Sequence, residues 1–382
     1  MADEKTIASA DDGEWLKNET LRQLEGCRVE SDSGIWLHTP DGIGHYKALW
    51  TRDFYYHVKY AGDLMDRDEV KLSIAYLIEG QRDDGCVPDR VKADGMPIYS
   101  PGGEHKPMAD HALDNGAFLA LLACEYVNRF GDIEFFRKIE SKLKKGLDHT
   151  RRAENGLVYN SPEHPECLYG FTDIITKTGH HLFTSLLYYQ ACTEMALVGA
   201  DSDETEEYNK RAQLIREHIG ILSDEKTGMF FAADHDCKQI DIWGSAFASY
   251  VGLVSDERTK RIAQYFIEHW DSVVQRGQVR HLTGEETWER LFHDCKPGEY
   301  QNGAYWSTPL PWFAPVVATV DPARAQQMLV DVIEEFKANG VAECMNGNYR
   351  KVPDFVVGIT NLYGVYDHVC PIPSETSHPP HG

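Results

Sequence analysis

Two acids sit where they can do chemistry. Asp173 lies in the segment YGFTDIITK (169–177) and Glu343 in GVAECMNGNY (340–349), each a polar and aromatic stretch beside an apolar run of helical period. Cleaving a glycosidic bond takes such a pair: one carboxylic acid protonates the leaving oxygen, and one carboxylate activates water or attacks carbon. Asp173 suits the acid role, because Tyr169, Phe171 and Ile174 give it an apolar surround that raises a carboxyl pKa. On spacing alone it reads rather more readily as an acid placed to favour the start of the helix that follows. Glu343 suits the second role, since it follows a helix ended by Asn339–Gly340 and stands among small residues that leave room for a water. Glu285, Glu286 and Glu299 compete for it. The first two precede TWERL, a short helical stretch where they read as solvated acids, and Glu299 adjoins Tyr300, Gln301 and Asn302.

Three further segments mix rings with polar groups: LWTRDFYYH (49–57), QRDDGCVPD (81–89) and EYQNGAYWSTPLPWF (299–313). Planar rings stack on the C–H faces of sugars, while Asp, Asn, Gln and Arg bond the hydroxyls. The expected sugar contacts are Trp50, Arg52 and Asp53 from the first segment and Gln81 and Asp84 from the second. Gln301, Asn302 and Trp306 come from the third, with Tyr169 and Lys177 beside the acid and Trp243 opening a later helix. Asp53 reads equally as a helix cap, and Asp83-Asp84-Gly85 as a plain turn. Lys177 is placed to orient a substrate hydroxyl, and Trp306 is preferred over Trp312, which falls inside an apolar helix start.

These segments need elements to hold them. Apolar periodicity predicts twelve helices, near 13–26, 50–65, 67–82, 110–130, 132–153, 178–200, 203–224, 243–254, 257–270, 308–321, 322–339 and 357–371. Five short links, MDRD, FGD, GADSD, VSDE and the Asp321–Pro322 pair, join them two by two, and several offer an Asp or Ser to cap the second helix. The segment after the first helix, 34–50, is long and fits this scheme least well. Long connections at 83–109, 154–177, 225–242, 271–307 and 340–356 separate the pairs, and loops of that length are uncommon unless functional. Alternating short and long links predict an all-α fold, an (α/α)6 toroid of six helical hairpins with its long loops on the functional face. No composition break divides the chain, so residues 1–382 read as one domain with flexible ends at 1–12 and 373–382.

Composition narrows the partners. The chain of 382 residues carries 38 basic and 61 acidic side chains, a net charge of −23, which disfavours nucleic acid and anionic membrane and suits a small carbohydrate. No apolar run approaches the roughly 20 residues of a membrane span, and no signal peptide is visible. Nine scattered cysteines without a CxxC pair, and the lack of HExxH, predict no metal or cofactor and a reducing cytoplasm. Nothing in the pattern specifies oligomeric state.

Taken in order, the segments resemble six-hairpin glycosidases, most closely glycoside hydrolase family sixty-three, which holds processing α-glucosidases and glucosylglycerate and mannosylglycerate hydrolases. WTRDF matches that family's early Trp/Arg/Asp helix start, and QRDDGCVPD its Gln…Asp-Gly…Pro turn. YGFTD maps its acid loop onto Asp173, YQNGAYWSTPLPW its late Tyr-Trp segment, and GVAEC its base onto Glu343. The match spans about residues 45 to 370. Two features depart from it: Thr172–Asp173 replaces a pair of acids, and MNGNYRKV replaces an aromatic, Pro- and Gly-rich turn. The resemblance implies an exo-acting, inverting α-glycosidase that removes a terminal glucosyl or mannosyl unit, with carboxyl groups roughly 6.5–9.5 Å apart. On the same toroid, an epimerase would need bases among His180, His181, His281 and His368. An unsaturated glucuronyl hydrolase would need more cations than Arg52, Lys177 and Arg350, and a non-catalytic sugar binder would show no turnover.

Overall fold

The computed structural model describes residues 9–103, 105–200 and 204–371. Its helices in chain order are α1 (Ala10–Gly26), α2 (Thr51–Ala61), α3 (Arg67–Glu79), α4 (Asn115–Phe130), α5 (Ile133–His149), α6 (Leu182–Val198) and α7 (Thr205–His218). They continue as α8 (Ile242–Tyr250), α9 (Asp256–Glu268), the single turn α10 (Trp270–Val273), α11 (Leu310–Ala318), α12 (Pro322–Asn339) and α13 (Val356–Val369).

Two helical layers follow from the burial of these segments. Every residue of α4 from Asn115 to Tyr126 is buried, and α6 and α11 are nearly as covered, so these belong inside. By contrast α5 and α9 each bury a single stripe. The inner helices touch in sequence, α2 on α4, α4 on α6, α6 on α8, α8 on α11 and α11 on α13, and α13 returns to α2. The inner layer therefore closes on itself. Outside it α5, α7, α9 and α12 each pack on the inner helix just before them, while α1 lies against α13 and joins the two ends of the chain. One apolar core cluster runs from Leu16 to Cys370.

Local chemistry sets the helix starts. Asp66, Asp132, Ser255 and Asp321 each accept a backbone N–H from the first turn of α3, α5, α9 and α12, as the short links predict. At the N-terminus Ser9 and Asp12 form a reciprocal capping box on α1, and Asp12 pairs with Lys337 at 2.7 Å. Residues 9–12 are thus built into the fold rather than part of a loose end, and 1–8 and 373–382 lie outside the described residues. The helix expected from 178 starts at Leu182, because Gly179–His180 pair with Tyr159–Asn160 and His181 caps the helix. Likewise 110–114 stay outside α4.

The long loops correct the expectation of an all-α chain. Among the described residues they form six small sheets, five of two strands and one of three. Buried backbone groups need partners, and loops crowded on one face supply them to each other. Ala48–Trp50 thus pairs with Arg90–Lys92, and Ala342–Asn346 with Tyr349–Pro353. No described helix is long and apolar enough to cross a membrane.

The contact of α4 with α5 depends on two glycines. A Cβ at Gly116 would stand 2.3 Å from the Gly146 carbonyl oxygen. Gly116→Ala should therefore force the helices apart and cost about 1–3 kcal/mol, read as a lower midpoint in urea denaturation. An unchanged midpoint would show that the helices are not held this closely.

Candidate active site

Arg52, in the first turn of α2, organises the centre of the long-loop face. It is 3 % exposed and bonds Asp89, with Asp53 at 3.8 Å and Asp173 at 3.5 Å. A Cβ at Gly170 would fall 1.6 Å from Arg52 Nε, so only glycine lets the guanidinium pass beneath the loop that carries Asp173. Asp114, just before α4, accepts the Gly170 N–H at 3.0 Å and fixes that loop from the other side.

Asp173 is positioned by Gln301, whose Nε2 donates to Asp173 Oδ1 at 2.8 Å and to the Gly170 carbonyl at 3.2 Å. The Gln301 carbonyl oxygen accepts the Ile174 N–H at 3.0 Å, so one amide spans the loop. Burial lifts the Asp173 carboxyl to about 6, against the opposing pull of Arg52 and the Gln301 donor. Asp53 is lifted to about 7, again by burial first, with Arg52 opposing.

Glu343 stands on the strand Ala342–Asn346. Tyr46 donates to its Oε1 at 2.8 Å, and Lys351 Nζ lies 3.3 Å from Oε2. Burial raises this carboxyl too, with Lys351 and Tyr46 pulling it back down. The Tyr46 phenol is pushed well above its ordinary value, by burial and then by Glu343, so it remains a donor. Its place is set by Asp41, which gathers the N–H groups of Ile43, His45 and Tyr46 within 3.0 Å and curls the loop around itself. Tyr300, at φ 44°, and Val352, at φ 36° next to Lys351, hold left-handed backbone, a cost of order 1–3 kcal/mol each that the surrounding structure must impose.

Asp173, Glu343, Asp53 and Arg52 line one buried cavity with Tyr46, Trp50, Phe171, Tyr300 and Phe355. Its volume is about 40 Å³. Through Tyr46, Trp50, Asp173 and Tyr300 it meets an outer chamber of about 560 Å³. A wider groove of about 820 Å³ lies on the outer surface along α9, α10 and α12, but its Asp321 is spent as a cap and its Trp270 is covered by Arg324. Chemistry, not size, picks the acid-lined cavity.

The other expected contacts lie elsewhere, each for a visible reason. Gln81 bonds the carbonyls of Gly85 and Lys142 and closes a turn, and Asp84 pairs with Arg82 at the surface. Tyr169 is core, stacked on Phe183 with ring centres 3.9 Å apart and bonded to Tyr56. Lys177 is buried under Trp288, bonds Thr172, and is lowered to about 8 by desolvation. Asn302 bonds Trp288 and Cys295 within its own loop. Trp306 and Trp243 are fully buried, Trp243 against His281, and neither lines the cavity. The aromatic walls are Trp50, Tyr46, Tyr300 and Phe171 instead. Glu299 points outward near Lys296, and Glu285 and Glu286 are exposed. None of His180, His181, His281 and His368 lines the cavity, and Arg350 is taken up by Glu335.

Sequence reading missed Tyr46, Lys351, Pro40 and Phe355. The signal for Tyr46 was the long aromatic segment before α2, which had no place in a scheme of hairpins.

No family model matches the chain, and no curated protein matches it by sequence. Solved structures do match in fold. A mannosylglycerate hydrolase of glycoside hydrolase family 63 from Thermus thermophilus, bound to glucose, superposes with a TM-score of 0.69 at 14 % identity, over 91 % of this chain and 99 % of the other. A rhamnosidase from Klebsiella oxytoca with rhamnose bound gives 0.68 at 11 % identity, over 94 % of this chain and 64 % of its own. A family 78 rhamnosidase from a Bacillus species gives 0.63 at 16 %, over 36 % of its length. The chain thus has the helical toroid fold of these glycoside hydrolases.

Arg52→Met leaves Asp53, Asp89 and Asp173 without their shared cation and should cost about 3–5 kcal/mol. Because the carboxyl pKa values of Asp53 and Asp173 are raised, the native state holds protons the unfolded chain has released, and stability falls as pH rises from about 4 to 7. Removing the cation raises them further, so the variant's deficit should be larger at pH 8 than at pH 5. Denaturant midpoints at the two pH values check this, and an equal deficit would contradict it.

Proposed function

We propose that this chain is an exo-acting α-glycosidase of inverting type, built on six helical hairpins and removing a terminal α-glucosyl or α-mannosyl unit from a small glycoside. The observation that carries the reading is that Asp173 and Glu343, 170 positions apart in sequence, line the same buried cavity in differently built surroundings.

Asp173 is the acid. With its carboxyl lifted to about 6 it holds a proton under mildly acidic conditions, and Gln301 aims it. Glu343 is the base, kept available for a proton by the Tyr46 and Lys351 contacts that favour its ionised form. In the reaction the Asp173 proton goes to the glycosidic oxygen as the C1–O bond breaks. A water attacks C1 from the opposite face and gives its proton to Glu343, which yields the free sugar and the protonated leaving group. Asp53 and Arg52, on the cavity wall, are the groups for the sugar hydroxyls. The narrow inner cavity favours action on a chain end, and the family 63 relative supports a hexose as the sugar.

Asp173→Asn and Glu343→Gln should each lower kcat on aryl α-glycosides by about 10²–10⁴-fold while melting close to the parent. With an α-glycosyl fluoride, whose leaving group needs no proton, Asp173→Asn should recover much of its rate and lose the alkaline limb of the pH profile. Rescue of Glu343→Gln in its place would reverse the roles, and near-normal turnover by either variant on aryl glycosides would remove the assignment.

A further inference from the structure

Like Arg52, Lys177 is a buried cation in contact with the loop of Asp173; unlike Arg52, it has no ion pair. It is 1 % exposed, and among the described residues no carboxylate lies within ion-pair distance of its ammonium. One of its three donors goes to the Thr172 hydroxyl, and the charge lies 5.1 Å from the centre of the Trp288 ring. Desolvation lowers it to about 8, which leaves it charged through the acidic and neutral range. Seating an ammonium on a hydroxyl and a ring carries a desolvation cost that a methionine of similar length would not.

Both contacts lead to Asp173. Thr172 directly precedes it, and the Thr172 hydroxyl passes its own proton to the Tyr169 carbonyl at 3.2 Å, which also accepts the Thr172 N–H at 2.8 Å. The ammonium therefore braces the turn from Tyr169 to Thr172. On the other side Trp288 Nε1 donates to the Gln301 backbone carbonyl at 3.0 Å, and the Gln301 side chain bonds Asp173. Lys177, Thr172, Asp173, Gln301 and Trp288 close a ring of contacts around the acid's loop.

The groups that face the ammonium from other elements have their own tasks. Asp241 caps α8, Asp114 accepts the Gly170 N–H, and burial raises both carboxyls above their ordinary range. His181 and His281 are driven well below theirs by burial and then by Lys177, and burial raises the Cys237 thiol, so these three stay neutral. Asp173 also acts on Lys177. Among these groups it alone gives up a proton in the reaction proposed above.

We propose that Lys177 is a positioning residue for proton donation, whose buried charge, seated against Thr172, favours the carboxylate that Asp173 becomes as its proton leaves. This rests on the glycosidase reading above. A carboxyl that protonates a glycosidic oxygen gains negative charge in the transition state, and a fixed cation in a water-poor surround stabilises that charge without reorganising. Arg52 is divided among three aspartates, whereas Lys177 is in ion-pair contact with none. Loss of the Lys177 charge makes Asp173 a weaker acid. The pH at which it gives up its proton then rises, and donation slows most where the leaving group most needs the proton.

The test compares the full-length parent with Lys177→Met and Lys177→Gln on phenyl α-glucoside and α-mannoside, whose leaving group takes the proton, and on the matching α-glycosyl fluorides, whose leaving group does not. Lys177→Gln keeps an N–H donor for Thr172 and loses the charge. Both variants should lose about tenfold or more in kcat on the phenyl glycoside and about twofold or less on the fluoride. The alkaline limb of kcat/KM should move up by about half a pH unit or more. Equal losses on both substrates with an unmoved limb, as a merely displaced loop would give, would overturn the inference. So would parent-like behaviour of Lys177→Gln, which would reduce the residue to a hydrogen bond. Either result leaves the glycosidase reading intact, whereas hydrolysis of none of the substrates by the parent would remove both. Each variant decides alone, so if one fails to melt cooperatively the other carries the test.

Discussion

The aspartates at the centre of the long-loop face are arranged around one buried guanidinium. Arg52 is nearly inaccessible, and Asp53, Asp89 and Asp173 all lie within ion-pair distance of it. A lone charge at this depth would be expelled by its desolvation cost, and so would any of the acids. Together they are tolerable. The loop of Asp173 must then cross the guanidinium at Gly170, because any side chain there would occupy the same space. The closed inner ring adds to this: α2, α4, α6, α8, α11 and α13 each begin where a long loop ends, and helix starts favour negative charge. An acid-rich centre is what such a ring can hold.

Asp173 and Glu343 owe their different electrostatic surroundings to different neighbours. Asp173 touches an amide donor and sits at the edge of the Arg52 field, and burial dominates its pKa. Glu343 touches a phenol and an ammonium, both of which stabilise its ionised form. The strands that carry Glu343 and Lys351 pair so that Cys344 faces Lys351, which brings the ammonium back across the hairpin to the neighbouring Glu343. The bridge between Tyr305 and Met345 ties the loop of Tyr300 and Gln301 to the same hairpin. Asp173 and Glu343 are in this way held by two ends of one connected scaffold.

The sequence carried the helices well, because inner and outer helices differ in how much of their circumference is apolar, and a period of 3.6 reports that directly. The loop of Asp173 and the Trp50, Arg52, Asp53 helix start stood out for the same reason: they abut strong helix signals. Sequence reading misjudged groups whose role depends on partners far along the chain. Gln301 looked like a sugar ligand but positions Asp173, 128 residues away. Trp306 and Tyr169 looked like stacking platforms, yet the cavity is walled by Trp50, Tyr46 and Tyr300, and no local pattern distinguishes a ring that faces a cavity from one that faces the core. Asp84 behaved as the turn residue its local spacing also allowed, and Gln81 closes the same turn instead of meeting a sugar. Tyr46 and Lys351 were invisible because each matters only through Glu343.

The claim at the centre of this account is that Asp173 and Glu343 act from opposite sides of one glycosidic bond, with water as the nucleophile. The configuration of the sugar at the moment of release reports on that directly. Proton NMR of the anomeric signals during the first minutes of hydrolysis of an aryl α-glucoside or α-mannoside, before mutarotation, should show the β-anomer appearing first. Initial release of the α-anomer would mean a covalent intermediate and two displacements, and would contradict the assignment of Glu343 as a base acting through water.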